Sequence, residues 1–298
     1  MKCPRISVLI PCYNREAYIR QCVSSVTDQS FRDLEIIICD NASTDRTYAI
    51  LEELAAKDPR IKLLRNDKNL GPIPNWKRCL DQASGEFVHW MWSDDYVEPG
   101  FYELMINGLD GADASLALAS YKIYEEKMNT FRTGGHYKRF DVLEGRKIAM
   151  GVLERIPQWI TSPAAWLLPT ALVKEHVYNR IPVYAGYDCN RTAIGADLLM
   201  IAGCALHSER VVSCREACAV FRAHAGSISI SRPTWRHFEV AKMWFLLANR
   251  LDKGLIHKVW LMLRAARIRS PRLLWHILTR WPVASGKEES VEPRKGVL

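Results

Sequence analysis

The chain has 298 residues, of which 48% are hydrophobic and 25% charged, and this balance supports a sizeable core and excludes a disordered protein. Its nine cysteines, at positions 3, 12, 22, 39, 79, 189, 204, 214 and 218, include no CxxC pair, so they read as reduced core thiols and not as a disulfide framework or zinc site. The formal charge of +8 lies in the last part: residues 1–232 carry 28 basic and 28 acidic side chains, and residues 233–298 carry 13 against 5.

To about residue 110, short β-type runs at 6–10, 35–39, 61–64 and 87–91 alternate with helical stretches at 16–27, 45–56 and 74–83. This alternation predicts a wound, mostly parallel α/β sheet. The first run is too brief for a signal-peptide core, and no apolar stretch approaches the ~20 residues that cross a bilayer, so no membrane-spanning segment is expected. Ser43, just ahead of Asp45, reads as a helix N-cap, and Ser84-Gly85 as the end of the helix before the fourth strand.

Residues 115–125 form another apolar-rich run. Residues 130–160 lack clear periodicity, contain Gly134-Gly135 and Pro157, and read as loops and short elements over the sheet. A helical pattern returns at 197–206, followed by strand-like runs at 210–214 and 217–221. Cys214 and Cys218 would stand one helical turn apart, without companion ligands.

From Pro233 to about Pro282 the pattern is two or three basic amphipathic helices, with Val240, Met243, Trp244, Leu247 and Leu251 on one face. Arg269, Arg272, His276 and Arg280 make a basic stripe. It suits a helix in an anionic membrane interface and equally a packed helical subdomain with a solvated basic face.

The chemistry-bearing residues gather where strands end. Asp94 and Asp95 follow the fourth apolar run; two adjacent carboxylates repel unless a cation relieves them, although an Asp before Pro99 also suits a turn or a helix cap. Asp40 ends the second run, within reach of a nucleobase or ribose at the sheet edge or as an Asx-type cap for the following turn. Pro11 to Asn14 leave the first run at the same edge, either lining a pocket or making a plain strand-to-helix turn. Asp197 opens a helical stretch, where a negative charge suits the helix dipole.

Ile10-Pro11-Cys12-Tyr13-Asn14-Arg15, Cys39-Asp40-Asn41-Ala42-Ser43-Thr44-Asp45, Asn69-Leu70-Gly71 with Asn75, and Ser93-Asp94-Asp95, in this order and spacing over residues 5–110, resemble glycosyltransferase family 2. A weaker likeness continues to Ser229 through Gly195-Ala196-Asp197 and Phe221-Arg222-Ala223-His224-Ala225-Gly226-Ser227. The resemblance implies an α/β fold of GT-A (Rossmann-like) type, a wound mixed sheet over residues 1–232. Residues 1–110 would be its nucleotide-sugar-binding half and 111–232 its acceptor-binding half, with 233–298 a C-terminal basic helical extension.

It further implies inverting transfer of one sugar from a nucleoside diphosphate sugar, most readily a UDP-sugar, to a glycan or lipid-linked oligosaccharide acceptor in cell-surface polysaccharide synthesis. Pro11, Tyr13, Asn14, Asp40, Asn75 and Asp94 would bind the donor. Asp94, Asp95 and His224 would hold Mg2+ or Mn2+, and Asp197 would be the general base, with Asp188 a second candidate. A histidine alone is more often a hydrogen-bonded structural residue, and Arg222 could pair with a phosphate or a carboxylate. Trp159, Thr161, Ser162, Trp166 and the loop 184–187 are acceptor candidates.

The expected location is cytoplasmic, peripheral on the inner face of the membrane if the tail meets an anionic surface, and no nucleic-acid partner is expected. Two departures stand out. Trp92 occupies the first place of the usual Asp-x-Asp-Asp, and Ala196 replaces the usual Glu before Asp197. The Gln-x-x-Arg-Trp signature of processive synthases is absent. These departures motivate a rival, a non-catalytic nucleotide-sugar-binding regulatory module; a nucleic-acid-binding role for the basic tail is a second.

Overall fold

The computed structural model describes residues 3–133, 142–154, 162–177 and 192–226, together with 241, 242, 245 and 246. The first apolar run is β1 (Ile6–Cys12), buried along its whole length. It pairs in parallel with β2 (Leu34–Asp40) on one side and β4 (Phe87–Trp90) on the other, and β3 (Ile61–Arg65) adds outside β2. Strands covered on both faces read as continuous apolar runs, which is why this half is legible in sequence. Helices α1 (Ile19–Thr27), α2 (Thr47–Ala55) and α3 (Pro72–Leu80) make the crossovers.

The second half contains β5 (Tyr96–Val97), α4 (Phe101–Ala112), β6 (Leu116–Glu125), β7 (Thr130–Thr133), β8 (Val142–Glu144), α5 (Gly145–Glu154), β9 (Trp166–Pro169), α6 (Thr170–His176), α7 (Ala196–Leu206) and β10 (Arg210–Ala223). The sheet order is β3-β2-β1-β4-β9-β6-β10-β5, with β7 on β6 and β8 on β10. Strand β9 runs antiparallel to both β4 and β6, while β6 and β10 are parallel. Two reversals restore direction, so β1, β2, β3, β4, β6 and β10 all present their carboxyl ends at one edge.

Helix α7 leads into β10. Its last residues meet α6, with the His176 and His207 rings stacked 4.7 Å apart, and α6 follows the end of β9 that pairs with the start of β4. The C-terminus of α7 is therefore at the amino edge of the sheet. Asp197 stands in the first turn of the helix.

Several expectations are corrected. Ser43 is not a helix cap: α2 starts only at Thr47, and the Ser43 hydroxyl instead accepts the Asn14 amide at 2.9 Å. Asp45 accepts the Thr47 amide at 3.0 Å and tends that helix start. The two strand-like runs near 210–221 are one strand, β10, whose register against β6 shifts between Cys214 and Cys218. A bulge absorbs the exposed Arg215 and Glu216 that made the pattern look broken, so these two cysteines stand on a strand and not a helical turn apart.

The short elements expected within residues 130–160 are β7, β8 and α5. The buried face of α5, Ile148, Ala149, Val152 and Leu153, is short and interrupted by Gly151. The eight described cysteines are free, and all but Cys3 are buried. Among the described residues no helix is long and apolar enough to cross a membrane.

Of the tail, Ala241, Lys242, Phe245 and Leu246 are helical and buried, and three of them, Ala241, Phe245 and Leu246, join the hydrophobic core. The basic stripe from Arg269 to Arg280, the acceptor candidates Trp159, Thr161 and 184–187, and Asp188 lie outside the described residues.

Tight packing fixes the strand ends. A Cβ on Gly85 would come 2.6 Å from the Ser7 amide nitrogen, so β1 and the lead into β4 approach as closely as only glycine permits. Behind them His89 is fully buried, with Nδ1 2.9 Å from the Tyr102 hydroxyl and Nε2 2.9 Å from the Ala164 carbonyl. That carbonyl only accepts, so Nε2 carries the proton of a neutral ring and Nδ1 accepts from Tyr102.

Burial pushes the His89 pKa down to about 4 from 6.5. The unfolded chain therefore takes up this proton first as pH falls, so the neutral ring's stabilisation is complete above about pH 6.5 and lost toward pH 4. The loss is on the order of 3 kcal/mol. Urea midpoints across that range should fall more steeply for the wild type than for His89→Gln; parallel profiles would remove His89 as the cause.

Candidate active site

The carboxyl edge is built first from the ends of three parallel strands, with Cys12, Asp40 and Arg65 in register. Asp40 is fully buried; its two carboxylate oxygens accept the Ser43 amide at 3.1 and 3.3 Å, and Arg65 Nε lies 3.4 Å away. The cap role and the edge position hold together. Pro11 lies within β1 opposite Cys39, and Tyr13 emerges beyond it as one of the few exposed large hydrophobic side chains.

Asn14 takes a left-handed backbone, φ +51°, a conformation that asparagine tolerates better than most residues. Its side chain is engaged: Oδ1 accepts the Thr44 amide at 2.9 Å and Nδ2 donates to the Thr44 hydroxyl at 3.3 Å. It latches the loop after β1 to the loop after β2. Asn75 is buried, donating to the Cys39 carbonyl at 3.1 Å and accepting from Asn66 at 2.9 Å. Asn66 in turn donates to Asn41 at 2.8 Å, and Asn41 accepts the Leu70 amide at 2.9 Å. These amides form the floor under the loop 66–71.

The carboxylate turn follows β4. Asp94 Oδ2 is 3.0 Å from His224 Nε2 and 3.5 Å from Arg15 Nε. His224 Nδ1 accepts the Gly226 amide at 3.2 Å, which puts the imidazole proton on Nε2, where it is donated to Asp94. Burial alone would raise the Asp94 pKa, but the His224 hydrogen bond and the Arg15 charge outweigh it and hold the carboxyl below its ordinary value. Asp95 goes the other way: burial first, then the charge of Asp94, push its pKa well up. The pair is electrostatically split.

Asp95 Oδ1 accepts the Arg222 backbone amide at 2.9 Å, and Arg222 Nε donates to the Asp94 carbonyl at 3.1 Å. The Arg222 guanidinium also bonds the Gln21 side chain, lies 3.8 Å from Glu126, and sits over the rings of Tyr18, Tyr96 and Tyr124 at 5.0, 5.7 and 5.3 Å. Tyr18 donates to Glu126 at 3.1 Å. The structure thus brings His224 onto Asp94, turns Asp95 to the Arg222 amide instead, and adds Arg15, Tyr18 and Glu126, whose roles no local pattern signalled.

Asp197 stands in the first turn of α7, after Gly195 at φ +88°, and its Oδ1 accepts the Leu198 amide at 2.8 Å. Trp166 is fully buried in β9, so it is core and cannot stack on an acceptor sugar. Trp92 packs on Trp76, with ring centroids 4.8 Å apart.

Among the described residues no group of three or more His, Cys, Asp or Glu side chains is gathered as a metal-ligand set. Asp94 offers an oxygen to a hard divalent cation that takes one or two protein ligands and draws the rest from phosphate oxygens and water; His224 would join it only after releasing its Nε2 proton. Asp95, turned to the Arg222 amide, is not gathered with them.

The profile of Glycosyl transferase family 2 matches residues 7–176. An uncharacterized glycosyltransferase of Haemophilus influenzae is 35% identical over 140 residues, 47% of this chain and 43% of that protein. A GalNAc(5)-diNAcBac-PP-undecaprenol beta-1,3-glucosyltransferase of Campylobacter jejuni is 40% identical over 98 residues, 33% of this chain and 32% of that one. The chain thus spans less than half the length of these two relatives.

S. aureus TarS 1–349 in complex with UDP superposes with a TM-score of 0.63 at 21% identity, over 93% of this chain and 71% of that one. Its complex with UDP-GlcNAc gives 0.61 over 93% and 72%, also at 21% identity. At this identity the likeness carries the fold, and the mixed sheet described above is the GT-A fold.

Because Arg222 ties the carboxylate turn to α1 and to Glu126 from a nearly buried position, Arg222→Met should lower the unfolding free energy by about 3 kcal/mol. Urea titration measures it. A change below about 0.5 kcal/mol would mean that the guanidinium adds nothing to the turn beyond surface-like contacts.

Proposed function

The chain belongs to glycosyl transferase family 2, and on that premise we propose that it is an inverting, metal-dependent enzyme that moves one sugar from a nucleoside diphosphate sugar, a UDP-sugar, to a glycan or lipid-linked oligosaccharide in cell-surface polysaccharide synthesis. The observation that carries this reading is Asp94 at the carboxyl edge of the sheet, with His224 Nε2 at 3.0 Å and Arg15 Nε at 3.5 Å. The UDP choice is supported by the TarS complexes, and the lipid-linked acceptor by the name of the Campylobacter relative. A carrier-linked acceptor would suit work at the cytoplasmic face of a membrane.

In this reading Pro11, Tyr13 and Asp40 receive the nucleoside, while Asn14 and Asn75 hold the surrounding loops through the hydrogen bonds described. Asp94, and His224 once its Nε2 proton is released, would hold Mg2+ or Mn2+, which supplies neutralisation of charge on the departing diphosphate, while Asp95 stays on the Arg222 amide. Asp197 takes the proton from the acceptor hydroxyl as its oxygen attacks the anomeric carbon. The bond from that carbon to the diphosphate oxygen breaks on the opposite face, which inverts the configuration.

The binding-module reading is favoured by Trp92 where a carboxylate usually stands, packed against Trp76, and by Ala196 where a Glu usually precedes the Asp. It predicts donor binding without turnover.

Calorimetric titration with UDP and GDP, with and without Mn2+, on the wild type and on the Asp94→Ala/Asp95→Ala variant tests the donor site. Metal-assisted binding of one nucleotide, lost in the variant, is the expected result; no binding of either removes the reading. For the base, Asp197→Asn should reduce turnover by ~10²–10⁴-fold while UDP affinity stays within about twofold. An equal fall in affinity and turnover would sink the assignment of Asp197.

A further inference from the structure

We propose that Arg15 is a ligand of the donor diphosphate, exchanging its contact with Asp94 for a phosphate oxygen as the donor enters; this rests on the donor reading above. Arg15 leaves β1 one residue after Asn14, and its backbone amide is fixed by the Thr47 hydroxyl at 2.7 Å. Its Nη1 donates to the carbonyls of Tyr13 at 3.2 Å and Asn14 at 3.0 Å, so the guanidinium is curled onto the loop that would receive the nucleoside. The side chain is 26% exposed at the rim of the site.

Its Nε is different from Nη1. The atom is buried and has no hydrogen-bond partner among the described residues, and Asp94 Oδ2 stands 3.5 Å away, an ionic contact that does not satisfy the N–H. That same oxygen already takes the His224 proton. A buried donor left unbonded beside an occupied carboxylate is a group waiting for an acceptor, and a planar, permanently charged fork is the side chain best matched to phosphate oxygens.

Electrostatics then couples the two ligands. A divalent cation arriving alone at Asp94 would face the positive charge of Arg15 next to the same oxygen. A diphosphate arriving with it gives Arg15 a new acceptor and removes that repulsion. Arg15 therefore favours the metal and the diphosphate together over the metal alone.

The test compares wild type, Arg15→Gln and Arg15→Lys by calorimetry with UDP, with uridine and with Mn2+ alone. Arg15→Gln should weaken UDP by about tenfold or more, leave uridine within about twofold, and bind Mn2+ alone at least as tightly as the wild type; Arg15→Lys, with the charge but not the fork, should fall between. A purely structural Arg15 would give UDP and uridine affinities that fall together in Arg15→Gln, and UDP affinity unchanged in that variant would also overturn the proposal. Wild-type protein that binds neither UDP nor GDP would remove the donor reading itself, an outcome separate from a wild type that binds UDP through other residues.

Discussion

Asp94 has to remain ionised where burial would neutralise it, and the neighbouring parts of the site answer that demand. A carboxylate taken out of water is costly unless paired and hydrogen-bonded. Here one oxygen receives the His224 proton and the field of Arg15, while the backbone carbonyl of the same residue is held by Arg222. The three partners come from the loop after β1 and from the end of β10, more than 200 residues apart in sequence at the extremes. The charge on one side chain therefore depends on the closure of the whole sheet.

That closure turns on β9. Had β9 joined in parallel between β4 and β6, the direction of β6 and β10 would be reversed or the crossovers would need another layer. Its four residues run antiparallel to both neighbours, so the β10 end carrying His224 reaches the same edge as the β4 end carrying Asp94. The Asp94 turn and His224 therefore share an edge through one short strand.

The sequence made the first half legible and the second half less so, for a physical reason. Doubly covered parallel strands such as β1 and β2 must be continuously apolar, and helices packed on them must carry a stripe, so both patterns are strong. Strand β9 is four residues inside a longer apolar-looking stretch, and β10 is broken by a bulge that puts Arg215 and Glu216 in its middle. Helix α4 buries Phe101, Tyr102, Met105, Ile106 and Leu109, a face that the sequence did contain but that Gly100 and the carboxylate motif overshadowed. In the site, Asp94, Asp95 and His224 could be picked out because their residue types signal chemistry. Arg15 could not, because an arginine after Asn14 looks like any solvated charge until Asp94 is brought beside its Nε.

The split between Asp94 and Asp95 also changes how the doubled aspartate is read. Two adjacent carboxylates in a buried turn cannot both carry charge cheaply, and the fold assigns the charge by hydrogen bonding: His224 favours the ionised form of Asp94, while burial beside that charge drives Asp95 toward its neutral form. Asp95 then serves as a strut that receives the Arg222 amide and holds the turn against β10. On this view the loss of a further carboxylate at Trp92 costs the site little. A third acid in the same turn would have added repulsion that the available cations, Arg15 and Arg222, are already engaged in relieving, whereas an indole packed against Trp76 stiffens the strand end from which Asp94 projects.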